Sequence, residues 1–301
     1  MATNVSLTTT YAGAVAGGYI RNAFIANESL QYLTVKENID YKQVVRRLVD
    51  DVSFAAPTCD FTPTGTVTLD QRVITLEKFQ VQRELCKNTF IADWEAREAQ
   101  NGNLPTSLSD GLIDNMLAQI AAKNEQLVWS GVNGNTGEYD GFLTLFDADN
   151  AVNKVAAPAA ITSSNVIAKI QLLIAELPTA VKRSTEKPII YMANNVWEAY
   201  MYAQVGAGYA SYITNGPIVQ PNFMGMYEIA VCPGMPDNAM VFAQRSNLWF
   251  GTNLLNDWNN VSVLDMTERD LSENVRFSAK FFAAVQYGFS TEIAVYAQGI
   301  S

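Results

Sequence analysis

The chain has 301 residues, 49% of them hydrophobic and 17% charged, with a net charge of −10 and no histidine. That composition supports a sizeable folded core, and its acidic balance argues against a dedicated nucleic-acid binder, whose phosphate contacts need clustered Lys and Arg. The absence of histidine also excludes Ser-His-Asp and Cys-His nucleophile activation and histidine-ligated zinc or iron, while carboxylate-based hydrolysis stays open.

Residues 1–27, rich in Thr, Gly, Ala and Asn, read as an extended arm that orders against a neighbour. No basic residue precedes Arg21, so a secretory signal is not expected, and the Asn-x-Ser triplets at Asn4, Asn27 and Asn260 are chance matches. Residues 28–50 predict helix, with Leu30, Leu33, Val44, Val45, Leu48 and Val49 as its apolar positions and Asp40 capping a second segment. Pro57 to Pro63 interrupts this pattern. The stretch TGTVTLDQRVITLEKFQVQREL, 64–85, then reads as the two strands of a long hairpin.

A long helix follows over 108–129. Ser107-x-x-Asp110 forms a capping box, Leu108, Leu112, Met116 and Ile120 recur at i, i+4 spacing, and Gly131 and Gly134 stop it. After the loop SGVNGNTGEYDGF, residues 148–163 read as a linker. A helix is predicted over 165–177, a buried strand over 188–193, and a helix capped by Asn194 or Asn195 running to Gln204. Short strands follow at 227–233, 239–244, 247–252 and 261–266. In NVRFSAKFFAAVQYGF, Val275, Phe277, Ala279, Phe281, Ala283, Val285 and Tyr287 alternate with Arg276, Ser278, Lys280, Phe282, Ala284 and Gln286, the period of one long strand. No apolar run approaches the roughly 18 residues of a membrane span.

Candidate sites are few. Gly131, Gly134 and Gly137 trail a helix and lack a following GK[ST], so they read as a turn and not a phosphate loop. Asp147-x-Asp149 has Val152 where a calcium loop needs glycine. Asp265, Glu268 and Asp270 form an acidic run with nothing to place them around a substrate. Lys42, Arg46 and Arg47 read as a solvated helix face, with a phosphate-facing surface as the alternative. Trp249-Phe250 and Phe281-Phe282 are core residues or interface anchors. Cys59, Cys86 and Cys232 are an odd, scattered set with neither disulfide nor zinc spacing. No catalytic, cofactor-binding or metal residue is assigned, and no enzyme activity is expected.

The order of elements resembles the major capsid proteins of tailed bacteriophages with the Hong Kong 97 phage fold. The resemblance rests on NEQLVWSGVNGNTGEYDGF, KPIIYMANNVWEAYM and VRFSAKFFAAVQYGF within that order, and it covers nearly the whole chain. It implies an α+β fold: an N-terminal arm at 1–27, a helical part of the P-domain at 28–58, an E-loop at 59–90, the P-domain with its spine helix at 91–159, an A-domain at 160–257 and P-domain closing strands at 258–301. It implies a virion capsid protein, assembled in the host cytoplasm as hexamers and pentamers into an icosahedral shell around double-stranded DNA, without sequence-specific binding and without a membrane. Its partners would be further copies of itself, a portal protein, a separate scaffolding protein (only 58 residues precede the proposed E-loop) and, in some relatives, a decoration protein. Lys78 and Lys87 lie in or beside that loop, but no matched Lys, Asn and Glu set predicts crosslinking. The rival readings are an encapsulin-type nanocompartment shell and an α/β enzyme without histidine chemistry.

Overall fold

Strand β13 (Asn274–Tyr287) is the axis of the fold. The computed structural model describes residues 8–11, 28–52, 65–86, 108–156, 158–206, 222–223, 226–253, 261–266 and 274–300, with isolated positions 54, 56, 59, 269, 271 and 272. Along one edge β13 pairs antiparallel with all 10 residues of β5 (Glu77–Cys86). Along the other it pairs first with β12 (Val261–Asp265) and then with β11 (Leu248–Thr252). Strand β1 (Thr8–Tyr11) extends this sheet beyond β12, and β2 (Thr34–Lys36) lies parallel to β11. Thr8–Tyr11 thus pair with their own chain, which corrects the expectation that the arm orders only against a neighbour.

The period of two holds along the whole of β13. Val275, Phe277, Ala279, Phe281, Ala283, Val285 and Tyr287 are all buried. Helices α1 (Leu108–Ser130) and α2 (Phe142–Ala148) pack on that face. The 23 residues of α1 make it about 35 Å long. Phe79 meets Phe281 at 5.4 Å and Tyr139 at 5.5 Å between ring centroids, and Phe146 meets Tyr287 at 5.2 Å. The predicted capping Ser107 lies outside the described residues.

A second, mixed sheet has the order β6-β14-β10-β7-β9-β8. Its strands are β6 (Asn153–Lys154), β7 (Ile189–Met192), β8 (Asn222–Phe223), β9 (Tyr227–Val231), β10 (Met240–Ala243) and β14 (Ile293–Tyr296). Every residue of β7, β10 and β14 is buried, which is why IIYM, MVFA and IAVY read as unbroken apolar runs. Helix α3 (Val166–Glu176) buries Val166, Ile170 and Leu173 against this sheet, one turn apart on one face. The short α4 (Thr179–Arg183) and α5 (Asn194–Gln204) complete the layer. The N-cap of α5 is Ala193, not Asn194 or Asn195; Asn195 Oδ1 instead accepts the Asn238 N–H at 3.1 Å. The expected linker at 148–163 is packed structure, because β6 joins the sheet and Val152, Val155 and Ile161 are buried. The sheets also cross the expected boundary at 257: β11 belongs to the first sheet and β14 to the second. One continuous apolar core serves both.

Two further expectations are overturned. Residues 28–52 contain no α-helix: a 3-10 turn at Ser29–Tyr32 leads into β2 and then β3 (Lys42–Val52). The apolar spacing fits a helix, but Val44, Val45, Val49 and Val52 are β-branched, and a strand partner decides the outcome. Asp40 precedes that strand and caps no helix. The proposed hairpin at 64–85 is not one either. Strand β4 (Gly65–Thr75) pairs with β3, from Lys42↔Thr75 to Val52↔Gly65, whereas β5 pairs with β13. Only Leu76 separates β4 from β5; it is buried and donates its N–H to Tyr41 O at 2.9 Å. The reversal lies between β3 and β4, whose facing ends Val52 and Gly65 are paired.

The base of this β3–β4 ribbon folds onto the outer face of the first sheet. Ile39, Ile74, Leu76, Trp249 and Ala284 form a small second core, with Val45 and Phe282 packed against it. Gly251 on β11 makes the close approach possible, since a Cβ there would lie 2.9 Å from Ile74 Cγ2 and 3.0 Å from Ile39 Cδ1. Gly251→Val is therefore expected to displace the ribbon base and cost about 1–3 kcal/mol. Urea unfolding followed by intrinsic fluorescence measures it, and an unchanged midpoint would refute the packing argument.

Candidate self-assembly surface

The two faces of the β3–β4 ribbon differ. On the inner face Ile74 is buried and Val45 and Arg72 are partly buried. On the outer face Val44 (50% exposed), Val67 (64%), Leu69 (60%) and Val73 (39%) form an aliphatic stripe open to solvent. The register sets Val44 opposite Val73 and Leu69 opposite Leu48. Phe54, beyond the end of β3, is fully exposed. The exposed Arg46 and Gln71 face each other within the stripe, and a row of uncovered aliphatic side chains on an 11-residue ribbon is the character of a candidate interaction site.

Polar contacts fix the ribbon at its base. Arg72 donates to Asp149 Oδ2 at 3.0 Å, and the Tyr287 hydroxyl donates to the same oxygen at 2.7 Å. The Arg72 guanidinium also lies 4.7 Å from the Tyr287 ring centroid. Gln286 Nε2 donates to Val73 O at 3.3 Å. The Tyr287 hydrogen bond, with help from the Ala151 amide and Arg72, holds the Asp149 carboxyl below its ordinary range despite partial burial. Burial and the Asp149 carboxylate together push the Tyr287 phenol up.

The end of α1 supplies the second organised region. Gly131 N–H bonds Leu127 O at 3.1 Å, and a Cβ on Gly131 would fall 2.2 Å from Tyr139 O. Glu138 gathers the loop, accepting from Asn135 Nδ2 at 3.0 Å, Lys123 Nζ at 3.1 Å and Val132 N at 3.4 Å. Those bonds, that of Asn135 foremost, lower its carboxyl. The glycine loop is thus a tightly closed helix stop, as its sequence suggests.

The remaining candidates are not brought together. Lys42 and Arg46 are exposed on strand β3, not on a helix, with Lys42 5.2 Å from the Tyr41 ring centroid. Arg47 lies on the same strand. Asp147 pairs with Lys154 at 3.7 Å, while Asp149 holds the ribbon; the two share no ligand geometry. Asp265 ends β12 opposite Val275, and Glu268 and Asp270 lie outside the described residues, as do Lys87, Asn4, Asn27 and Asn260. Trp249, Phe250 and Phe281 are buried, and Phe282 is partly so. Cys232 is buried, and Cys59 and Cys86 are exposed. Among the described residues no helix is long and apolar enough to cross a membrane. Sequence reading placed Val44 on a helix and Val67, Leu69 and Val73 on hairpin strands; it did not bring them onto one surface, because the strand partner that does so is not visible in the sequence.

No protein-family model matches the sequence, and no curated protein sequence matches it significantly. The solved structures do match. A chain of the satellite phage P4 procapsid, which includes the size determination protein Sid, superposes with a TM-score of 0.60 at 8% identity, covering 93% of this chain and 98% of that one. The capsid of Myoviridae phage XM1 gives 0.56 at 12% identity, covering 98% and 95%. The fold is that of a tailed-phage major capsid protein. A virus-like particle from Pyrococcus furiosus gives 0.52 at 13% identity, covering 93% and 96%.

The ribbon lock is testable by pH. Asp149→Asn is expected to lower stability by about 1–3 kcal/mol at neutral pH. Because the folded carboxyl is lowered, its contribution is present above the unfolded value of about 4 and is lost as pH falls through the folded one. Urea titrations of both proteins along a descending pH series should show the gap closing in acid; a gap constant with pH would contradict the lock.

Proposed function

We propose that the chain is a shell subunit that assembles as hexamers and pentamers into a closed icosahedral capsid around double-stranded DNA. The observation that carries this reading is the aliphatic outer face of the β3–β4 ribbon on a chain whose full length follows capsid subunits. The ribbon takes the part of the E-loop, so that element is assigned to 42–75 instead of 59–90. Laid across a neighbouring copy, its stripe removes apolar surface from water at roughly 25 cal/mol per Å², and the repetition of this contact over a closed shell sums to a large stability. The first sheet with α1 corresponds to the P-domain and the second sheet with α3 and α5 to the A-domain. Phage portal and scaffolding proteins are the expected partners, and the net charge of −10 favours enclosing DNA over gripping it. The likeness to a virus-like particle supports a second reading, a shell whose contents are not a genome.

Deletion of 64–85 is too blunt a test, since it removes the β5 strand that β13 pairs with. The double variant Val67→Lys, Leu69→Lys changes only exposed side chains and should alter subunit stability by no more than about 0.5 kcal/mol. Negative-stain electron microscopy of the wild-type protein, expressed with its neighbouring genes, is expected to show closed particles, and the variant none. A wild-type monomer under every condition would overturn the shell reading. Particles from the variant would overturn the role of the ribbon. DNA recovered from particles after nuclease treatment separates the two kinds of content.

A further inference from the structure

Glu125 is the one charged side chain buried among the described residues, at 7% exposure. It sits near the end of α1 and faces donors, not cations. The Ser29 hydroxyl donates to Oε1, the Ser29 amide to Oε2 at 3.3 Å, and the Gly234 amide bonds the same carboxylate. Trp129 Nε1 donates to Ser29 Oγ at 2.8 Å, which locks the hydroxyl in place. Gly234 presses so closely on α1 that a Cβ there would lie 2.1 Å from Glu125 O. Three separate segments therefore meet at this carboxylate: the turn that leads into β2 and the ribbon, the last turns of α1, and the loop after β9. The turn is tied to the second sheet as well, since the Tyr191 hydroxyl donates to Tyr32 O at 2.7 Å.

We propose that Glu125 is a pH-responsive clasp, closed in acid and loosened as pH rises, which sets how firmly the ribbon's entry and the second sheet are held to the end of α1. This goes beyond the shell reading and does not depend on it. The sign follows from burial. Desolvation raises the Glu125 carboxyl above its ordinary value, more than the Ser29 and Gly234 hydrogen bonds lower it. When the clasp opens, water restores the ordinary value. The closed form thus binds the proton more tightly, so its advantage is greatest in acid and is lost as pH rises through the closed-state value. The titratable groups facing Glu125 are Glu28 from the turn, Tyr139 from the loop after α1 and Cys232 from the loop after β9. Asp237 lines the same groove. Burial pushes Tyr139 and Cys232 up, out of the range in which a carboxylate titrates. Glu28 and Asp237 are exposed, and Lys123 on α1 is engaged by Glu138.

Hydrogen exchange on the full-length protein tests this, read on peptides covering 28–36 and 230–237 and corrected for the intrinsic rate at each pH. Protection in both is expected to fall by about threefold or more between pH 5 and pH 8. Glu125→Gln should flatten that dependence. Ser29→Ala removes a donor to the charged form and should move the midpoint to higher pH, while Glu28→Gln removes a repelling charge and should move it to lower pH. Wild-type protection that does not change with pH, or a dependence retained in Glu125→Gln, overturns the clasp. Should the glutamine variant fail to fold, an unmoved midpoint in Ser29→Ala does the same.

Discussion

Everything else in this fold is arranged around the two faces of β13. Its inner face is apolar along the full length and is covered by α1 and α2. Its outer face is polar at Arg276, Ser278 and Lys280 and becomes apolar only at Phe282 and Ala284. That change of character fixes where the ribbon base settles, because Ile39, Ile74 and Leu76 need an apolar floor and find it only there. The same strand commits both edges, one to β5 and the other to β12 and β11. A chain leaving β5 in reverse must therefore rise off the sheet at Leu76 and pair with something else, and it pairs with β3.

The ribbon's position is thus set by packing at one end, while its outer stripe meets water. Burial of the stripe has to come from outside the described fold, and the folded subunit keeps the strands in register without it through the β3–β4 ladder. A surface that is ordered before it is covered loses less entropy on association than one that must fold on contact. Net charge opposes premature clustering of such subunits.

Much of this was legible in the sequence, and what was missed shares one cause. The period of two in 275–287, the helix over 108–130 and the buried strands 189–192 and 240–243 are local patterns, and they emerged where they were expected. Strand partnership is not local. KQVVRRLVDDV satisfies a helical apolar spacing as well as a strand's, and only the ladder with GTVTLDQRVIT resolves it. The hairpin was placed one strand too late because β4 and β5 run on with a single residue between them, so that 64–85 reads as one unit and the pairing of β4 with β3 is not visible in it. At the candidate surface, the absence of histidine and of ligand spacings left no catalytic constellation to assign. Arg72, Asp149 and Tyr287, which lie far apart in sequence, could not be joined without the fold.

The two polar joints, one partly buried and one buried, respond to acid in opposite directions. Asp149 is lowered by the Tyr287 hydroxyl and Arg72, so the lock at the ribbon base weakens as pH falls. Glu125 is raised by burial, so on the same descent the clasp at the start of the ribbon strengthens at higher pH, before the ordinary carboxylate value is reached. One joint holds the ribbon to the first sheet and the other holds the chain entering it to α1 and the second sheet. On this linkage a falling pH acts first on the clasp, which it tightens, and only below the ordinary carboxylate value on the lock at the ribbon base, which it weakens.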